Sequence, residues 1–282
     1  MSIDNFVPEI WSKELLVNLQ KNLVFAQEGV VNRDYEGEIQ EKGDTVHINS
    51  IGPVTIFDYD EDTFPDPEQL NDAQTNLVIT QAKAFNFKVK DVDAAQTSPK
   101  VMAAAMNEAG YGLRDVADQF LAALYTGVAG GNTIGDDVTP IVPTKADAYE
   151  YLVDLDVMLT DAKIPTGNRW VSVPGWFHGL LRKDDRFVKT GSSQAEQILR
   201  NGEVGEAAGF RVLVSHNTPN TAGALYKIIA GYPGAITYAE QINKVEAYRP
   251  EKGFSDAVKG LHLYGGKLVR PDGIAVLTAD KS

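Results

Sequence analysis

Four histidines, one Ser-His dipeptide and a run of carboxylates are the residues of this chain whose types could do chemistry. His47, His178, His216 and His262 fall in four different predicted elements, and three of them lie beside strand or turn residues where an imidazole ordinarily just holds a hydrogen bond. Ser215 next to His216 supplies the types of a nucleophile and its base. Adjacent residues on a strand point to opposite faces, however, so the two cannot act as a pair. Asp58, Asp60 and Asp62 alternate like the first ligands of a calcium loop, but Thr63 stands where the sharp turn needs glycine and Gln69 where the bidentate carboxylate belongs. They read as a solvated charge run. No G-x-S-x-G elbow, Walker A loop, G-x-G-x-x-G fingerprint or H-E-x-x-H helix occurs. With no cysteine at all, disulfides, thiolate nucleophiles and zinc ribbons are excluded. The expectation is no catalytic residue, no metal ligand and no cofactor.

The carboxylate run belongs to a long excursion, residues 43–90. Val46 and Ile48 alternate with Thr45, His47 and Asn49 on the way out, and Phe85, Phe87 and Val89 alternate with Asn86, Lys88 and Lys90 on the way back. This predicts a two-stranded arm. Between the strands lie Asp58, Asp60, Glu61, Asp62, Asp66, Glu68 and Asp72, with Pro65 and Pro67 and no Lys or Arg. Such a tip cannot bury a core of its own, and an isolated hairpin is marginal in water. The arm is therefore expected to lie on a neighbouring subunit, which favours assembly over catalysis.

Length and composition agree with that reading. The 282 residues, 43% of them hydrophobic, suffice for one large core or two smaller ones, and two lobes are expected. The net charge of −13 disfavours a nucleic-acid binder, which neutralises phosphates with clustered cations. Arg182, Lys183, Arg186 and Lys189 are interrupted by Asp184 and Asp185, so this cluster reads as a solvated or subunit-facing surface. Met1 to Glu9 lacks the basic and apolar regions of a leader, and no run approaches the ~18 apolar residues of a membrane span. A soluble chain made in a cytoplasm, with no membrane partner, is expected.

Residues 8–24 carry Ile10, Trp11, Leu15, Leu16, Leu19 and Leu23 at helical spacings, starting from Pro8, and lead into an irregular charged arm through Glu41. Ser98 and Pro99 open the strongest helix, 98–125, whose stripe runs through Met102, Met106, Ala109, Leu113, Val116, Phe120 and Leu124, with Gly110 and Gly112 at its middle. Gly127 to Thr139 reads as a flexible link and lobe boundary. Beyond it helices and strands alternate: a helix capped by Thr144, strand Arg169 to Val173, helix Pro174 to Arg182, strands Phe210 to Val214 and Leu225 to Ala230. The tail returns to strands at Val245 to Tyr248, Leu261 to Tyr264, Lys267 to Arg270 and Ile274 to Leu277, punctuated by Gly265, Gly266, Pro271 and Gly273.

This order of parts, together with Pro8-Glu-Ile-Trp-Ser-Lys-Glu-Leu-Leu16, Asn32-Arg-Asp-Tyr-Glu-Gly-Glu-Ile39 and Gly43-Asp-Thr-Val-His-Ile48, resembles the major capsid proteins of tailed bacteriophages, over nearly the whole chain. Val171-Ser-Val-Pro174 with Lys183-Asp-Asp-Arg-Phe187, Gly209-Phe-Arg-Val212 with Ser215-His-Asn217, and Phe254-Ser-Asp-Ala-Val258 with Tyr264-Gly-Gly-Lys-Leu-Val-Arg-Pro271 extend the likeness. The resemblance implies an α+β chain of the Hong Kong-type phage capsid fold. Its parts would be an N-terminal helix and arm at 1–42, an extended loop at 43–90, a peripheral domain at 91–143 and 241–282 with spine helix 98–125, and an α/β axial domain at 144–240. It further implies self-assembly as hexamers and pentamers into an icosahedral shell around double-stranded DNA, held without sequence-specific binding, in a virion built in the host bacterial cytoplasm. Subunit contacts would fall on Arg33, Arg249 and Arg270 and on the acidic residues Asp58, Asp60, Glu61 and Asp62. Because the fold starts by Pro8, a separate scaffolding protein is expected beside a portal protein. The absence of lysine between Lys42 and Lys83 speaks against a lysine cross-link from the loop and leaves non-covalent contacts or decoration proteins to hold the shell. Two alternatives stand beside this: an encapsulin-like cellular nanocompartment shell on the same fold, and an acidic α/β hydrolytic enzyme using the histidines.

Overall fold

The computed structural model describes residues 24–34, 45–51, 56, 72–90, 100–184, 203–251 and 255–281. The predicted helix before Val24, the acidic residues from Asp58 to Glu68, Ser98 with Pro99, and Asp185, Arg186 and Lys189 lie outside them.

Thr45–Ile51 (β1) and Asp72–Val78 (β2) form a two-stranded antiparallel ribbon, with Thr45 opposite Val78 and Ile51 opposite Asp72. This corrects the expected arm, whose return strand was placed at Phe85 to Lys90. That segment, Gln81–Lys90 (β3), joins a different sheet. The true return strand is largely polar over its first five residues, so composition hides it in the tip.

Lys100–Ala122 (α1) is a continuous helix of 23 residues through Gly110 and Gly112, and a 3₁₀ turn at Ala123–Gly127 completes it. At ~1.5 Å per residue it is about 35 Å long. The chain continues through Thr133–Ile134 (β4), Ala148–Asp161 (α2), Trp170–Val173 (β5), Gly175–Lys183 (α3), Glu203–Ala207 (β6), Phe210–Val214 (β7), Asn220–Thr221 (β8) and Leu225–Gly231 (β9). It ends in Ile236–Tyr248 (β10), Ser255–Leu268 (β11) and Ile274–Asp280 (β12).

Seven strands form the larger sheet, in the order β4-β12-β9-β5-β7-β6 with β8 beside β9. Its central strands β5 and β12 are buried almost end to end, as their apolar runs require. The pleat sends Val171, Val173, Val212, Ile228, Ala230, Ala275 and Leu277 to one face, where Leu152, Leu155 and Leu159 of α2 and Phe177 and Leu181 of α3 cover them. The expected cap at Thr144 lies one turn ahead of helix α2, whose N-cap is Asp147 without a side-chain cap: Thr144 Oγ1 accepts from Ala146 N–H and Asp147 Oδ1 from Thr144 N–H at 2.5 Å, which closes the turn leading into the helix. At the other end the buried Arg169 guanidinium donates to Asp156 O, Thr160 Oγ1 and Pro165 O at 2.9–3.0 Å, so the last turns of α2 and the loop after it are tied to the start of β5.

The glycine-rich stretch read as a flexible link is instead fastened to this sheet. β4 pairs in parallel with β12, the Asn132 amide donates to Asp272 O and Ile274 O at 3.0 and 3.2 Å, and the buried Lys227 ammonium pairs with Asp137.

The smaller sheet has the order β10-β11-β3. Two segments read as separate strands, Leu261 to Tyr264 and Lys267 to Arg270, belong largely to the single strand β11, with Gly265 and Gly266 in its interior. A Cβ on Gly265 would sit 2.8 Å from Val78 O, and one on Gly266 3.0 Å from Leu121 Cδ2. These glycines mark where the ribbon and α1 press onto the strand rather than a turn. Leu77 and Ile79 pack there on Ala239 and Leu263, so the base of the ribbon is clamped to the small sheet. Further along, Phe85 and Phe87 of β3 pack with Leu113, Val245 and Val258 beneath α1.

Candidate functional site

The residues that could have formed a catalytic pair are held apart. Ser215 is buried, its hydroxyl accepting from Asn217 N–H at 3.1 Å, while His216 is exposed. His178 lies half-buried on α3, where burial and then the Arg182 charge lower its proton affinity, and His262 is buried on β11. The side chain of His47 lies outside the described residues.

Buried polar groups converge instead where residues 24–34, an arm of turns and isolated bridges, cross between the two sheets. Phe25 is 1% exposed and meets the indole of Trp170 edge-on, with ring centroids 6.2 Å apart. It shares one apolar cluster with Leu213 and Ile229 of the large sheet, Tyr238 and Tyr264 of the small sheet, and Ala117 and Leu121 of α1. The arm is thus the filling between the two sheets. Its first backbone groups need partners there, and Asp118 of α1 supplies them: Oδ1 accepts from Val24 N–H at 3.1 Å and Phe25 N–H at 2.8 Å. The Asn217 amide donates both to Asp118 Oδ2, at 3.0 Å, and to Asp115 Oδ1, at 2.8 Å, bringing the loop after β7 to the same point. Burial pushes the Asp118 carboxyl up, against the lowering effect of its three donors.

Farther along the arm, Asn32 N–H donates to Ile236 O and Tyr238 N–H to Asn32 O, a one-residue extension of the small sheet. Arg33 follows and turns inward. Its guanidinium pairs with Glu240, donates to Ala26 O at 3.0 Å and lies 5.5 Å above the Tyr238 ring. Glu240 also accepts from Tyr238 Oη at 2.6 Å and contacts His262 Nε2 at 3.3 Å. Burial alone would raise the Glu240 carboxyl. The His262 hydrogen bond, the Arg33 charge and the Tyr238 hydroxyl outweigh it and hold the group below the usual glutamate range. Burial, and then the same carboxylate, drive the Tyr238 hydroxyl well up. An arm, a helix and two sheets are thereby fixed by two carboxylates, an arrangement suited to setting the direction of a chain segment.

Of the residues expected at subunit contacts, Arg33 is engaged in this junction. Arg249 follows β10 and lies 3.5 Å from Asp256, both side chains more than half exposed. Arg270 is exposed between β11 and β12, its backbone N–H donating to Ala235 O. The three occupy separate elements. Asp58, Asp60, Glu61 and Asp62 lie outside the described residues. Sequence reasoning missed Asp118, Asn217 and Glu240, whereas His262 was among the histidines weighed, and its contact with Glu240 is of the hydrogen-bonding kind expected for most of them. The signal for Glu240 was present, a carboxylate inside the apolar run Ala235 to Ile242. Asp118 likewise interrupts the apolar stripe of α1.

A family model of phage capsid proteins matches residues 73–277. The chain belongs to the phage capsid protein family. A solved chain of Mycobacterium phage Che8 is 31% identical to this capsid protein, with a TM-score of 0.68 and 98% of each chain covered. The capsid of cyanophage P-SCSP1u matches with a TM-score of 0.69 at 16% identity, covering 93% of this chain and 90% of that one. The capsid of Ralstonia phage GP4 matches at 0.65 and 15% identity, covering 99% and 97%. These last two show a shared fold. No curated protein sequence matches. The protein is an α+β major capsid protein of the Hong Kong-type fold, a structural component of a virion shell that associates with copies of itself.

Proposed function

We infer that this capsid protein assembles as hexamers and pentamers into the icosahedral shell that encloses the double-stranded DNA genome of a tailed bacteriophage, and that it catalyses no reaction. The observation that carries the reading is the 31% identity with the Che8 chain over 98% of both. Physical features support it. The β1-β2 ribbon has only two strands and is anchored at one end, so its far part needs a surface outside its own subunit. A net charge of −13 lets a shell confine DNA without gripping it.

In this reading residues 1–42 act as an arm, 43–90 as an extended loop over the adjacent subunit, 91–143 and 241–282 as the peripheral domain, and 144–240 as the axial domain. The acidic tip with Asp58, Asp60, Glu61 and Asp62 meets neighbours, as do Arg249 and Arg270, while Arg33 acts through the direction it sets for the arm. Assembly takes place in the bacterial host cytoplasm with a separate scaffolding protein and a portal protein, and non-covalent contacts or decoration proteins hold the finished shell. A virus-like particle from Pyrococcus furiosus shares the fold at a TM-score of 0.57 and 14% identity, too distant to favour a cellular compartment.

Expression with its genomic neighbours, followed by sedimentation and negative-stain microscopy, tests this. Capsomer-sized species and shells are expected. A monomer that never assembles under those conditions would overturn it.

A further inference from the structure

The outward face of α2 carries charge that its own subunit leaves exposed. Glu150, Val153, Asp154, Val157 and Asp161 follow at helical spacings and are all exposed, whereas Ala148, Leu152, Leu155 and Leu159 on the opposite face are buried. No Lys or Arg occurs in the helix, and neither Asp154 nor Asp161 forms an ion pair among the described residues. The Tyr151 hydroxyl feels the field: burial first, then Asp147, Asp154 and Glu150 push it up. Val153 and Val157, 39% and 49% exposed and one turn apart, give the stripe an apolar centre.

The opposite sign stands at the end of α3. Arg182 and Lys183 are exposed and form no ion pair among the described residues. Among the described residues of 144–240 this is the only place where two exposed cations adjoin.

Resting on the shell-forming reading above, we propose that the acidic face of α2 docks on the Arg182–Lys183 end of α3 of the next copy of this chain around a ring. Each copy carries one surface of each sign on the same lobe, so a heterologous contact can repeat until the ring closes. The two-fold alternatives are disfavoured by charge. Two α2 faces would set carboxylates against carboxylates, and two α3 ends cations against cations. In the heterologous contact the valines form the dry centre and the charges the rim.

Three charge variants test the contact: Glu150→Lys with Asp154→Lys, Arg182→Glu with Lys183→Glu, and all four changes in one chain. Each reversed pair should leave the circular dichroism of the free subunit unchanged and, because Glu150, Arg182 and Lys183 stand at helix ends that favour their charge, lower its thermal midpoint by no more than a few degrees, yet lower the assembled fraction roughly tenfold or more in sedimentation at low salt. The four-fold swap restores opposite signs and should bring assembly back to within about twofold of wild type. Reversed pairs that assemble like wild type, or a swap that restores nothing, would refute the contact and leave the shell reading intact. Failure of the wild type to assemble in the same runs would defeat the shell reading and this contact with it. Should a reversed chain misfold, the absence of native cysteine gives an independent readout. Oxidising assembled Asp154→Cys/Lys183→Cys chains should yield a covalent ladder longer than a dimer, and monomer alone would overturn the proposal.

Discussion

Asp118→Ala and Asp118→Asn separate the two things the Asp118 carboxylate does for the arm: it accepts two backbone hydrogen bonds, and it carries a buried charge. Alanine leaves Val24 N–H and Phe25 N–H without acceptors in the cluster that contains the 1% exposed Phe25. Hydrogen bonds to a charged group contribute about 1.5–3 kcal/mol each, and some of this is returned because the burial cost of the charge disappears with it. A net loss of roughly 2–4 kcal/mol follows, equivalent to about 5–15 °C in the thermal midpoint of the unassembled subunit. Asparagine keeps an oxygen facing both N–H groups and removes the charge, but turns an NH2 toward the Asn217 amide, which keeps its bond to Asp115, so at neutral pH it should cost about 1–2 kcal/mol, less than alanine. The pH dependence follows from the raised folded-state value of Asp118. A carboxyl raised on folding contributes stability that is complete below its unfolded value and lost as pH rises through its folded value. Relative to Asp118→Asn, the wild type should therefore gain stability as pH falls from neutral toward the ordinary aspartate range. Urea unfolding of both variants at several pH values is the assay, with proteolysis of the arm as a local probe. Asparagine as damaging as alanine, with no pH dependence of the difference, would refute the reasoning.

Glu240→Ala strands Arg33 against Tyr238 and should cost about 3–5 kcal/mol in urea unfolding, while Arg33→Met/Glu240→Leu should cost less than the single change. Because the Glu240 carboxyl is held low, its contribution is complete above the ordinary glutamate range and lost as pH falls through its folded value, so Glu240→Gln should flatten acid unfolding below about pH 4. Gly265→Ala forces a Cβ to within 2.8 Å of Val78 O and should lose about 1–3 kcal/mol and hasten proteolysis of the ribbon, whereas Gly112→Ala, with open space around it on an exposed helix face, should gain about 1 kcal/mol. Replacing Phe57 to Ala73 by a Gly-Ser turn removes seven acidic residues and should leave a folded subunit that closes no stable shell; normal shells, or global unfolding by circular dichroism, would show that the excursion is dispensable or part of the subunit's own core.

Local pattern carried much of the fold. The stripe of α1 and the apolar runs of β5, β9 and β12 each encode their element within a few residues, and family motifs encode their order. Pairing was harder to read. The partner of β3 is β11, with Ser255 opposite Lys90, and no local signal spans that separation. The return strand β2 opens with Asp72-Ala-Gln-Thr-Asn76, so its composition resembles a loop. Gly265 and Gly266 look like punctuation in sequence, and only the approach of Val78 and Leu121 reveals why a strand interior needs them. The junction was illegible for the same reason: Asp118, Asn217 and the arm meet across about a hundred residues, each unremarkable alone.

The most direct measurement of the central claim is electron cryomicroscopy of particles made from this chain with its genomic neighbours. The account predicts closed shells in which copies of this subunit form hexamers and pentamers, with the β1-β2 ribbon lying over an adjacent subunit and DNA confined inside. Shells built from another protein, or this subunit present only as a solitary species with its ribbon folded on itself, would contradict it.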